Sequence, residues 1–361
     1  IHNKDKPALQ VIRAGRTSVN MKQESGGPSG FFLLLRVTLT QFALWVATGT
    51  LCVLALFVRK GVCKSKASME GKTVIVTGGS SGIGKETAKD LCRRKARVII
   101  ACCDLNEAKS AAQEIFEETQ QPVIIKHLDL ASFKSVRAFA EDIVRTEPRL
   151  DVLVNNAGVV LDSSKTKLTE DGYEQAFQVN YLGHFLLTML LLDLLTESAP
   201  SRVINVSSVL HHLGSADHFE DRVKGRHPMR DPVASYCNNK LAMLLFTRAL
   251  AHKLKHYGVT VNALHPGICK THIADHSTGL VSSFFHFIQA LGGKTAREGA
   301  QTSIFLAVDP KVAKETGKYF SDCRRHWISW RAKDRALADK VFWKSVGLVH
   351  LEDSANQLIK A

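Results

Sequence analysis

The chain is 361 residues long, 45% hydrophobic and 23% charged, enough for one large α/β domain or two smaller ones with a sizeable core. Its net charge of +14 comes from basic residues scattered singly and in short groups such as Arg93-Arg94-Lys95 and Arg324-Arg325. These are not interleaved with aromatic side chains, so no nucleic-acid partner is expected; an anionic membrane surface or a phosphate-rich cofactor fits the balance better. The eight cysteines form no CxxC pair and no Cys/His metal spacing, which points to reduced thiols on a cytosol-facing protein and to no metal.

In chain order, residues 1–30 form an N-terminal segment expected to be disordered. The chain begins at Ile1, and Met21 is a candidate initiator, which would make residues 1–20 non-native. Residues 31–58 read as a transmembrane anchor. Val37 to Val58 is free of charge and long enough to cross a bilayer as a helix, and Arg36 can snorkel to the interface. No small-residue cleavage site succeeds it, so a signal anchor is expected rather than a cleaved signal peptide. Arg59, Lys60, Lys64 and Lys66 then open a basic linker over 59–70, and the positive-inside tendency places the C-terminal body on the cytosolic side.

Residues 71–347 carry the catalytic pattern, with a C-terminal tail over 348–361. Thr73 to Val76 is a β-branched strand, followed by Thr77-Gly78-Gly79-Ser80-Ser81-Gly82-Ile83-Gly84 and a helix from Lys85. Strand, glycine turn and helix are the context a dinucleotide fingerprint needs. The glycines let the backbone approach a pyrophosphate, and the helix N-terminus favours its charge. Strands at 97–101, 123–126, 150–154, 203–206 and 260–264 alternate with helices at 106–119 and 132–146, as a parallel sheet with helices on both faces demands. Further on, Tyr236 and Lys240 are spaced i, i+4, so on a helix they share a face. A nearby cation lowers a phenol's pKa and makes it a usable acid or base. Alone, such a pair is more commonly an accident of a solvated helix surface.

The glycine spacing TGxxxGxG resembles the short-chain dehydrogenase/reductase family, and the remaining family motifs come in order. These are Asn155-Asn156-Ala157-Gly158, Asn180 within VNYLGH, Ser207-Ser208, Tyr236 with Lys240, and Pro266-Gly267. The resemblance covers about residues 70–347 and implies a Rossmann-type doubly wound parallel sheet. It implies that Tyr236 donates a proton to a carbonyl oxygen, that Ser208 hydrogen-bonds that oxygen, and that Lys240 lowers the phenol's pKa and holds the nicotinamide ribose. Asn180 would hold a water that relays protons through Lys240. For the cofactor it implies contacts from Gly78, Ser80, Ser81, Gly82, Ile83 and Gly84 at the turn. Asp129 and Leu130 would lie by the adenine, Asn155, Ala157 and Gly158 by the adenine ribose, and Pro266, Gly267, Ile268 and Thr271 at the nicotinamide end. Thr271 reads equally well as a helix cap.

An acid at the end of the second strand would bind a ribose 2′-hydroxyl and repel a 2′-phosphate. That end reads Ala101-Cys102-Cys103-Asp104, with a neutral cysteine at the deciding place. NADP(H) is therefore the expected cofactor. The arginine usual in similar proteins is missing at Cys103, which leaves NAD(H) open. The insertion 209–235, the Lys294–Thr302 run and Tyr319 to Cys323 resemble the membrane-anchored retinol dehydrogenase branch, enzymes of the endoplasmic reticulum. The expected substrate is a retinoid or another hydrophobic aldehyde or alcohol, met by the apolar run Leu280 to Ile288. Sterol, polyprenoid and lipid-aldehyde substrates are the alternatives, and a tethered nucleotide-binding scaffold is the non-enzyme alternative. His211 and His212 read as packing or solvent residues. Family analogy allows a homodimer.

Overall fold

A computed structural model describes residues 60–161, 167–226, 232–269 and 293–351. The anchor, Thr271 and the apolar run 280–288 lie outside them. Among the described residues no helix is long and apolar enough to cross a membrane.

The first half alternates strand and helix. β1 (Thr73–Thr77), α1 (Gly82–Arg93), β2 (Arg97–Cys102), α2 (Leu105–Thr119), β3 (Val123–His127), α3 (Phe133–Thr146) and β4 (Val152–Asn155) succeed one another. A helical stretch begins at Gln175, passes through a π-turn at Gln178–Leu182 and continues as α4 (Gly183–Leu190). β5 (Ser201–Val206), the 22-residue α5 (Pro232–Lys253), β6 (Val259–His265), α6 (Ala296–Val308), β7 (Tyr319–Ser321), β8 (Arg324–Arg325) and α7 (Arg335–Leu348) complete the body. The strands form one sheet in the order β3-β2-β1-β4-β5-β6-β7-β8, parallel except for the β7–β8 pair. This is the doubly wound sheet expected from the sequence.

β1 is buried throughout, as a central parallel strand covered on both faces must be, and its continuous Thr-Val-Ile-Val-Thr run reflects that. Ile75, Ile99 and Leu153 face one core layer with α3, α4 and α5; Val74, Val76 and Ile100 face the other with α1 and α6. α5 has Leu241, Leu244, Leu245 and Phe246 fully buried, so it is a central helix. Tyr236 and Lys240 thus do not sit on a solvated face.

Two flanking segments place side chains on the body. The segment read as a basic linker lies against the body: Lys60 pairs with Glu298 at 2.7 Å, Cys63 N–H donates to the Gln301 side chain, and Met69 is buried. The tail expected from 348 begins with core residues. Leu348, Val349 and Leu351 are buried, and Arg137 and Tyr173 donate to the Val349 and Leu348 carbonyls. In both segments charge and short length conceal a few anchoring side chains from a reading of the sequence.

Candidate active site

The strand order reverses between β1 and β4, and a ligand crevice is expected outside the carboxyl ends of strands at such a point. A cleft of about 570 Å³ lies there. Gly78, Ser80, Ser81, Gly82, Ile83, Gly84, Cys103, Asp129, Leu130, Ala157 and Gly158 all line it. The turn needs its glycines: Gly78 and Gly82 have φ of +62° and +53°. A Cβ on Gly84 would stand 2.1 Å from the Gly78 carbonyl oxygen. The first turn of α1 carries no acidic side chain, so its N–H groups present positive potential to an anion. These residues fit the pyrophosphate and ribose of a dinucleotide.

Asn155 departs from expectation. Its side chain is buried and donates to Thr188 Oγ1 at 2.9 Å and Asn205 Oδ1 at 2.8 Å, binding β4 to β5 and α4. Asn155 closes the strand with its side chain in the core layer; the next residue, Asn156, faces the turn. Asn156 Nδ2 donates to the Thr77 carbonyl at 2.9 Å and lies on the cleft wall.

The four catalytic candidates form a chain of contacts beside Gly158 on the cleft wall: Asn180 and Lys240 flank it, Lys240 lies by Tyr236, and Tyr236 bonds Ser208. Ser208 comes just after β5 and caps a short 3₁₀ turn, with its Oγ accepting from the Leu210 N–H at 3.2 Å. Lys240 is buried and donates to the Val206 carbonyl at 3.0 Å, with its ammonium 5.3 Å from the centre of the Tyr236 ring. Burial draws Lys240 down to about 8. Burial also pushes the Tyr236 phenol above its ordinary value, opposed by a hydrogen bond with the Ser208 hydroxyl. The expected depression by Lys240 is therefore not what the protein alone produces: desolvation wins. The phenol stays protonated near neutral pH, the state required of an acid that protonates a carbonyl oxygen. Asn180 is buried as well. Its amide donates to the Val159 carbonyl and accepts from the Val159 N–H, both at 2.8 Å. The side chain clamps the cleft wall beside Gly158, where an added Cβ would meet both Asn180 Oδ1 and Lys240 Nζ within 4 Å.

Pro266, Gly267 and Ile268 leave the end of β6, and a residue to which the sequence assigned no role holds them. Lys294 is buried, forms an ion pair with Asp322, donates to the Pro266 carbonyl at 3.3 Å and bonds the Ile268 carbonyl through its N–H at 2.7 Å. Gly267 has φ +97°, and a Cβ there would strike the Lys294 side chain. Under the glycine turn, Thr77 Oγ1 accepts from the Asn156 and Ala157 N–H groups and sits 2.9 Å from His184 Nε2. Burial holds His184 down at about 3, hence neutral. His211 is a buried packing residue, with Nδ1 2.7 Å from the Ser208 carbonyl and Nε2 accepting from the Ser329 N–H at 3.3 Å.

The model of the family described as short chain dehydrogenase matches residues 72–219 and 223–279. The chain belongs to that family. It is 46% identical to mouse (Mus musculus) retinol dehydrogenase 13 over 300 residues, covering 82% of this chain and 89% of that protein. It is 45% identical to human (Homo sapiens) retinol dehydrogenase 12 over 287 residues, covering 79% and 89%. Among solved structures, an uncharacterised protein from Mycobacterium Paratuberculosis superposes with a TM-score of 0.64 at 30% identity, covering 81% of this chain and 98% of that one. The Pseudomonas aeruginosa RhlG/NADP active-site complex does so with a TM-score of 0.57 at 28% identity, covering 70% and 95%. The chain is accordingly an NAD(P)-dependent oxidoreductase acting on CH–OH donors and their carbonyl products.

Proposed function

We propose that the protein interconverts retinal and retinol, or a closely similar hydrophobic aldehyde and alcohol. The observation that carries the chemistry is the Tyr236 phenol hydrogen-bonded to Ser208 and backed by Lys240, beside the Gly158 wall of a dinucleotide-shaped cleft. The retinoid choice is supported by the names of relatives that share nearly half their residues with this chain. A bound nicotinamide supplies or accepts the hydride. In reduction, Ser208 orients the carbonyl oxygen and Tyr236 delivers the proton as negative charge develops there. Lys240 stabilises the phenolate left behind, and in oxidation the same groups run in reverse.

The apolar stretch 31–58 serves, on this reading, as a single-pass anchor in the endoplasmic reticulum membrane with the catalytic body facing the cytosol. A lipid-soluble substrate then arrives from the bilayer, and the body can pair as a homodimer. The test is a panel of all-trans-retinal, a ketosteroid and a medium-chain aldehyde, offered to the full chain in membranes with both nicotinamide cofactors. Retinal should give the highest kcat/KM. A ketosteroid turned over at least tenfold better would replace the retinoid reading and keep the mechanism.

A further inference from the structure

We infer that this chain selects NAD(H) over NADP(H), and that Glu107 makes the selection. The inference rests on the dinucleotide reading of the cleft and concerns its adenosine end.

The neutral Cys103 at the end of β2 puts no negative charge at the 2′ position. The structure supplies that charge from one helical turn further along. α2 begins immediately after β2, with Asp104 as its N-cap, and its first turn brings Glu107 back over the glycine loop. There Glu107 Oε2 accepts a 2.7 Å hydrogen bond from the hydroxyl of Ser80, which is buried. Asp104 itself is engaged in capping: its Oδ1 accepts from the N–H groups of Asn106 and Glu107 at 2.8 and 3.0 Å. Of the two acids, Glu107 is thus the one tied directly to the loop that would hold the adenosine ribose.

Among the described residues the rest of the wall adds no opposing charge. The described lining of the cleft contains three carboxylates, Asp104, Glu107 and Asp129, and no lysine, arginine or histidine. Lys85, the basic residue directly after the glycine turn, points to Glu114 at 2.7 Å. Burial raises the Cys102 thiol to about 11, so it brings neither a cation nor a thiolate. A ribose 2′-phosphate carries roughly −1.5 to −2 charge at neutral pH and needs an arginine or a similar cation. A ribose 2′-hydroxyl needs an acceptor, and a carboxylate is the usual one. This wall offers the acceptor. Ser80 reinforces it by fixing one carboxylate oxygen through its own hydroxyl.

The experiment measures NADH and NADPH affinities by cofactor fluorescence on the full chain in detergent micelles, independently of turnover. The expected result is NADH binding at least about tenfold more tightly, equivalent to about 1.4 kcal/mol. Glu107→Gln keeps the shape and a hydrogen bond to Ser80 while removing the charge, so it should narrow the ratio chiefly by improving NADPH. Cys103→Arg with Glu107→Lys should invert it. The melting temperature of each variant shows whether it is folded. NADPH binding as tightly as NADH to the wild-type chain, or a ratio unmoved by Glu107→Gln in a folded variant, overturns the inference and leaves the oxidoreductase reading intact. Binding of neither dinucleotide overturns both.

Discussion

Lys240 holds its ammonium 5.3 Å from the centre of the Tyr236 ring while donating at 3.0 Å to the carbonyl of Val206 in β5. The lysine is thereby fixed from the sheet side, and the phenol is held from the other side by Ser208. The pair on α5 is thus tied to the end of β5 and to the residue that succeeds it.

Burial places the Lys240 titration near 8, below the ordinary lysine value. Below that pH the ammonium is charged and can stabilise the phenolate that forms as Tyr236 gives up its proton. Above it the charge disappears. The kcat for carbonyl reduction should therefore fall as pH rises through about 8. In Lys240→Arg, whose side chain stays charged, residual activity should lose that alkaline limb. A wild-type profile that stays flat well into the alkaline range would contradict this role.

Acid should destabilise the body before its carboxylates titrate. Burial depresses His184 and His265 to about 3 and His211 to about 4, against 6.5 for an ordinary imidazole. Folded-state values below the unfolded value mean that the unfolded chain binds more protons. Stability is fully present above about 6.5 and is lost as pH falls toward about 4. Urea unfolding at about pH 7, 6 and 5 should show a steady decline, and His184→Gln should reduce its slope by about one proton. Equal midpoints at the three pH values would rule this out.

Lys294 ties the loop leaving β6 to Asp322 beyond β7. Lys294→Met leaves Asp322 without its partner and should cost on the order of 3 kcal/mol of stability. It should also raise the KM for dinucleotide more than it lowers kcat, because Pro266 to Ile268 lose their support. Adding Asp322→Leu should recover part of the stability. A single variant that melts like the wild type would show that the ion pair does not hold the loop.

The sheet is legible in the sequence because parallel strands buried on both faces leave continuous apolar runs, as in Val74–Val76 and Val98–Cys102, and because glycines mark the turn between β1 and α1. Tyr236, Lys240 and Ser208 are legible because their order along the chain matches a family pattern. The features that escape depend on the direction of a side chain. Asn155 and Asn156 are adjacent, and only the pleat decides which faces the cleft. Glu107 lies a helical turn beyond the strand end where an acid is usual, so its approach to Ser80 depends on where α2 starts. Lys294 reads as one more basic residue until burial reveals its partners. The depressed phenol expected from the Tyr–Lys spacing fails for a similar reason, since spacing reports proximity and says nothing of desolvation.

Tyr236 stands at the centre of this account, as the proton donor beside a dinucleotide cleft. The most direct measurement compares wild type and Tyr236→Phe in single-turnover reduction of retinal and in dinucleotide affinity. Loss of the hydroxyl should slow reduction by about a thousandfold, within the range for general acid catalysis, while the cofactor dissociation constant stays within about twofold. A variant that keeps more than a tenth of the wild-type rate would contradict the account.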